Sequence, residues 1–159
     1  MTWFTAKNHC ETKGGKLVEI DSKDENMALV GEINRGGYNV IYNNTYINRR
    51  GYVERKMNFW IGLSDVKSEG NWRLASNNLN PSYLNWHKGE PSNETDQDCA
   101  RLRIVPYLPF KNTWSDINCK AKAQGHFSLH ALCEYDSLTN RRPIEDTTKG
   151  ASTKSYHGH

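Results

Sequence analysis

Glu90-Pro91-Ser92-Asn93, then Asp98-Cys99, Trp114-Ser115-Asp116, Cys119 and Cys133 form the stretch on which the reading of this chain turns. It gathers oxygen donors, a proline and three of the four cysteines. Oxygen donors suit hard cations such as calcium. Cysteines that bracket a loop hold such donors in place. The combination points to a stapled binding loop rather than a catalytic centre.

Outward from this stretch, the bulk properties narrow the choices. A chain of 159 residues fits one domain and is long enough to bury a core. Hydrophobic residues make up 36%, and the mean hydropathy of -0.85 gives a polar surface. The net charge is +3 with no lysine or arginine stripe, which argues against a nucleic-acid partner. No apolar run approaches the roughly 18 residues of a membrane span, so no membrane insertion is expected. The opening Met1-Thr2-Trp3-Phe4 has no character of a secretory signal.

Cys10, Cys99, Cys119 and Cys133 allow three pairings. No C-x-x-C pair occurs, which disfavours zinc. An even count in a small polar domain favours disulfides and an oxidising compartment, hence a secreted or extracellular protein. Asn43-Asn44-Thr45 and Asn93-Glu94-Thr95 are glycosylation sequons and fit a glycoprotein, although such tripeptides also arise by chance.

Local patterns predict a helix over 3–13, ended by Gly14-Gly15, and a short strand over 16–20. Ser22 with Glu25 forms a capping box that opens a second helix over 23–33. Residues 35–58 are rich in Tyr, Asn and Arg and contain a possible hairpin at 40–47; they read as an inserted surface excursion. Strands follow at 59–63 and 71–74, then a polar loop over 75–98. Further strands are expected at 100–105, with Arg101 and Arg103 on the exposed face, and at 113–119 and 129–135. Residues 136–159 read as a polar, disordered tail.

Trp60-Ile61-Gly62-Leu63, Asn85-Trp86, Gly89-Glu90-Pro91, Asp98-Cys99, Trp114-Ser115-Asp116, Cys119 and Leu132-Cys133-Glu134 together resemble the C-type lectin-like domain over residues 1–135. Each landmark is weak alone; the order and spacing are specific. The resemblance implies an α+β fold in which two helices flank a small antiparallel sheet. It implies a long binding loop clamped by one disulfide. It also implies the pairs Cys10–Cys133 and Cys99–Cys119, and structural roles for Trp60, Trp72, Trp86 and Trp114. Two features depart from the family: the chain starts at the first helix, where the family has a preceding strand, and the 35–58 segment is long.

The same resemblance implies a calcium site whose ion also takes two hydroxyls of a sugar. A cis-proline flanked by Glu and Asn, an acid before the next Cys, and a Trp-Asn-Asp motif supply its ligands. Glu90 and Asp116 match that pattern. Ser92, Gln97 and Ser115 depart from it, lowering the carboxylate charge from about -3 to about -2, and each lost carboxylate weakens a hard-cation site. Asn93, Glu94 or Asp96 could contribute, because the register within 92–97 is open by one residue. Asp65, Glu69 and Asp98 match a second calcium site, with Asn93 or Glu94 near the fourth position. As plain loop carboxylates they could equally be satisfied by water or by caps.

The resemblance to the Glu-Pro-Asn type favours mannose, fucose or N-acetylglucosamine, on glycans or glycoproteins. Trp86, His87, Tyr107 and Phe110 are candidates to stack on the sugar, although Trp86 reads more naturally as core. The competing class is a calcium-independent lectin-like module that binds a protein or other non-sugar ligand, through residues 35–58 with their Tyr and Arg anchors. An enzyme is not expected. His87 near Glu90 has no nucleophile at a recognisable spacing, and His9, His126 and His130 read as surface or packing residues.

Overall fold

The computed structural model describes residues 1–34, 57–104, 112–122, 129–135 and 155–158. The hairpin expected at 40–47, most of the insert, His126, Tyr107 and Phe110 lie outside them. The first helix, α1 (Trp3–Thr12), starts where the Thr2 hydroxyl accepts the Thr5 amide at 3.2 Å. It ends at Gly14, whose φ of +78° suits only a residue without Cβ strain. The second, α2 (Lys23–Asn34), starts as expected at Ser22, whose hydroxyl accepts the Glu25 amide at 3.1 Å. The Glu25 carboxylate reaches back one residue further than a strict capping box, to the Asp21 amide at 2.7 Å.

The described residues contain seven strands in chain order: β1 (Lys16–Leu17), β2 (Met57–Ser64), β3 (Arg73–Leu74), β4 (Cys99–Ile104), β5 (Thr113–Ile117), β6 (His130–Tyr135) and β7 (Ser155–Gly158). Their order is β1-β6-β2-β4-β5, with β3 also on β2 and β7 also on β6. The sheet is mixed rather than purely antiparallel, because β2 and β6 run parallel through Phe59↔His130 and Trp60↔Ala131.

Several expected boundaries move; the strand expected at 71–74 shortens to Arg73–Leu74 and that at 113–119 ends at Ile117. The strand expected over 16–20 narrows to Lys16–Leu17. Past Leu17 the backbone stops following one neighbour: the Val18 amide bonds Leu132 of β6, and the Val18 carbonyl accepts the Gly62 amide of β2. The excursion expected to end at 58 gives up its last two residues to β2, where Met57 and Asn58 are buried. The segment expected to be structureless to His159 contains β7, paired antiparallel with β6 from Leu132↔Gly158 to Tyr135↔Ser155. Unpaired amides and carbonyls on the edge of β6 favour such pairing whatever the side chains.

Among the described residues, two core clusters meet at β2. Phe59, Ile61 and Leu63 face Leu29, Leu102 and Trp114. Trp60 faces Trp3, Cys10 and Cys133. Trp60, Trp72 and Trp114 are buried, and Trp86 packs edge-on against Trp72 and Trp114, so all four act structurally. Cys10–Cys133 and Cys99–Cys119 are both bridged. Gly62 is obligatory at the crossing, since a Cβ there would lie 2.7 Å from Glu19 Cγ and 2.8 Å from the Leu17 carbonyl oxygen.

Candidate functional site

Strand β5 carries Asp116 to the edge of the 90–98 loop, and the Cys99–Cys119 bridge ties the start of β4 to the segment after β5. The Glu90–Pro91 peptide is cis. On its far side the Ser92 amide and hydroxyl both donate to Asp116 Oδ2, at 2.7 and 2.9 Å. The structure thus brings Glu90, Ser92 and Asp116 together. Asp116 is buried, yet its Oδ1 has no hydrogen-bond partner. Burial works to raise its pKa, but the neighbouring Glu90 carboxyl and the Ser92 hydrogen bonds outweigh it and hold the group low. Glu90 moves the other way: burial first, and then the Asp116 carboxylate, push it up to about 7 against the pull of Arg101 and Arg103.

The second group lies on the loop after β2. Asp65 is buried; its amide donates to the Asp98 carbonyl at 3.1 Å, and its Oδ2 accepts the Gly70 amide at 2.8 Å. Its Oδ1 is the other buried carboxylate oxygen left without a partner among the described residues. Burial, then repulsion from Asp98 and Asp116, raises the Asp65 pKa despite the Gly70 hydrogen bond. Glu69 is raised as well, first by desolvation and then by the Asp65, Asp98 and Asp116 carboxylates. The carboxylates assigned to the two sites therefore act on one another through space. Asn93, at a φ of +54°, brings its Oδ1 to 4.0 Å from the Cβ position of Gly70, so the two loops adjoin.

Two expected ligands are engaged elsewhere. Ser115 is buried, and its hydroxyl accepts Arg101 Nε at 2.9 Å. The Gln97 amide side chain donates to the Glu94 carboxylate. Sequence reasoning placed Arg101 on an exposed face and missed that it reaches this site. The link lies in the strand register, which sets Arg101 opposite Ser115 and which residue spacing alone does not give. His87 is exposed, with Nδ1 3.1 Å from the Thr113 hydroxyl.

Chemically, this is a cluster of carboxylates with two buried, unsatisfied oxygens and mutual repulsion, which a hard cation relieves. Among the described residues, no three His, Cys, Asp or Glu side chains already stand in a metal-holding group. The donor set nevertheless fits calcium better than any softer metal, because every ligand atom offered is oxygen.

The family model for the lectin C-type domain matches residues 1–134. A perlucin-like protein from Mytilus galloprovincialis is 31% identical over 124 residues, covering 78% of this chain and 67% of that protein. Among solved structures, the mouse scavenger receptor C-type lectin carbohydrate-recognition domain superposes with a TM-score of 0.53 at 26% identity, covering 76% of this chain and 75% of the other. A calcium-independent type II antifreeze protein superposes equally, with a TM-score of 0.53 at 22% identity over 76% of this chain and 72% of the other, a likeness of fold alone. The chain belongs to the C-type lectin domain family.

Proposed function

We propose that this domain is a calcium-dependent lectin, a binding module rather than an enzyme, that holds a sugar diol on a calcium ion at Glu90, Ser92 and Asp116. The observation that carries the reading is the buried, unpartnered Asp116 Oδ1 beside a Glu90 carboxyl raised to about 7. An orphaned buried carboxylate oxygen is costly unless something binds there. Asp65, Glu69 and Asp98, with Asn93, would hold a second calcium, for which the unpartnered Asp65 Oδ1 gives the same argument. When bound, calcium supplies the positive centre for the sugar oxygens. The chain's own part is to aim Asp116, which the two Ser92 hydrogen bonds achieve. Gln97 and Ser115 border the site, and a hydroxyl-bearing sugar of the mannose, fucose or N-acetylglucosamine type fits its carboxylate and hydroxyl donors. Two disulfides and no free cysteine support an extracellular setting.

A second reading is favoured by one contact. Arg101 occupies the Ser115 hydroxyl and places a cation near Glu90 and Asp116, which weakens calcium and suits a non-sugar or protein ligand, with residues 35–58 as a further contact surface. Calorimetric titration with calcium, followed by mannose-conjugated albumin with and without EDTA, separates the two. Calcium uptake that Asp116→Asn reduces, with albumin-conjugate binding lost in EDTA, supports the first. Conjugate binding indifferent to EDTA, or none, supports the second.

A further inference from the structure

A groove of about 470 Å³ runs between the start of α1 and the chain from Ser64 to Asn78. It falls within the roughly 300–1,000 Å³ range of small-ligand pockets. None of its described lining residues is a candidate calcium or sugar ligand. One wall is Trp3 and Phe4, stacked edge to face at 5.4 Å. Trp3 is fixed from behind by its Nε1 donating to the Ile61 carbonyl at 2.9 Å. Val66 and Leu74 also line it, and Leu74 is braced by its backbone N–H donating to the Leu79 carbonyl at 2.9 Å. Phe4 and Val66 remain 49% and 48% exposed and offer apolar surface at the groove's rim.

Charge decides which ligand. Lys7, Lys67 and Arg73 line the groove, and no acidic residue does so among the described residues. Lys7 shares its charge with Glu11 on the same helix. Lys67 and Arg73 have no carboxylate partner among the described residues; Arg73 bonds only the neutral Asn80 amide oxygen. Long basic side chains at an apolar rim leave their stems on the wall and their charges free for an anion.

We infer that this groove binds a free small amphipathic anion, an apolar body bearing one carboxylate or sulfate. The body lies against Phe4, Val66 and Leu74, and the anionic group meets Lys67 and Arg73. Binding requires none of Glu90, Ser92 and Asp116.

Decanoate is the probe, titrated below its micelle concentration while backbone amide shifts are followed by NMR, with decyltrimethylammonium as the cationic counterpart. The expected result is saturable shifts confined to residues 3–7, 66–67 and 73–78, with decyltrimethylammonium at least about tenfold weaker. Lys67→Glu and Arg73→Glu should each weaken decanoate by about fivefold, the range of an exposed ion pair. Lys67→Arg should retain binding, and Asp116→Asn should leave it unchanged. Equal binding of the cationic probe, shifts outside the groove, loss of binding with Asp116→Asn, or wild-type binding by folded Lys67→Glu would each overturn the proposal.

Discussion

Calcium affinity should fall about tenfold between pH 8 and pH 6, and Glu90 is the reason. Its carboxyl is raised from an ordinary 4.5 to about 7, by burial and by the Asp116 carboxylate. Calcium requires the ionised form, so protons compete with it. With a pKa of about 7, the group is about 90% ionised at pH 8 and about 10% at pH 6, which sets the tenfold ratio. With the ordinary value it would remain about 97% ionised at pH 6, and the affinity would barely move. The sign for the calcium-free fold is opposite. An acid raised in the folded state favours folding below its unfolded pKa, and that contribution is lost as pH rises through the folded value. Glu90 is half-exposed, so solvent screening keeps the stability effect small and makes calcium affinity the sensitive readout. Isothermal titration at pH 8, 7 and 6 measures it, and Glu90→Gln should bind more weakly and lose the pH dependence. A flat wild-type affinity across that range would refute the reasoning.

Other substitutions test other parts of the account. Arg101→Gln keeps a hydrogen-bonding group beside Ser115 but removes the cation facing Glu90 and Asp116; calcium should bind about fivefold tighter by calorimetry. Gly62→Ala forces a methyl against the Leu17 carbonyl and Glu19, and chemical denaturation should show a loss of about 1–3 kcal/mol. Lys16 lies between the buried carboxylates of Glu19 and Glu134. Lys16→Met should cost about 2 kcal/mol in the same assay, less than a fully buried pair because the lysine is half-exposed. Cys99→Ser with Cys119→Ser opens a loop with a sequence separation of 20; on chain-entropy grounds it should lower stability by about 3 kcal/mol, read by thermal melts, while the fold survives.

The order of helices and strands was legible because local signals and burial agreed. Ser22 and Glu25 announced α2, the alternation of Leu102 and Ile104 with Arg101 and Arg103 announced β4, and the Trp60-Ile61-Gly62-Leu63 run announced a strand buried on both faces. What escaped was non-local. The expected strand at 16–20 shrank because Val18 divides its hydrogen bonds between β6 and β2, a fact no window of sequence contains. Ser155–Gly158 carries no strand pattern; its pairing is set by the open edge of β6. In the site, residue types pointed to Glu90 and Asp116, and the geometry brings them together. The engagement of Ser115 by Arg101 depended on which residues stand opposite each other across two strands, and that register was not readable from spacing alone.

The most direct test of the central claim is retention of the domain on mannan-agarose in millimolar calcium, followed by EDTA. The account predicts retention, release by EDTA, and no retention for Asp116→Asn. Passage of the folded wild-type domain straight through the column, or retention that EDTA leaves intact, would contradict it.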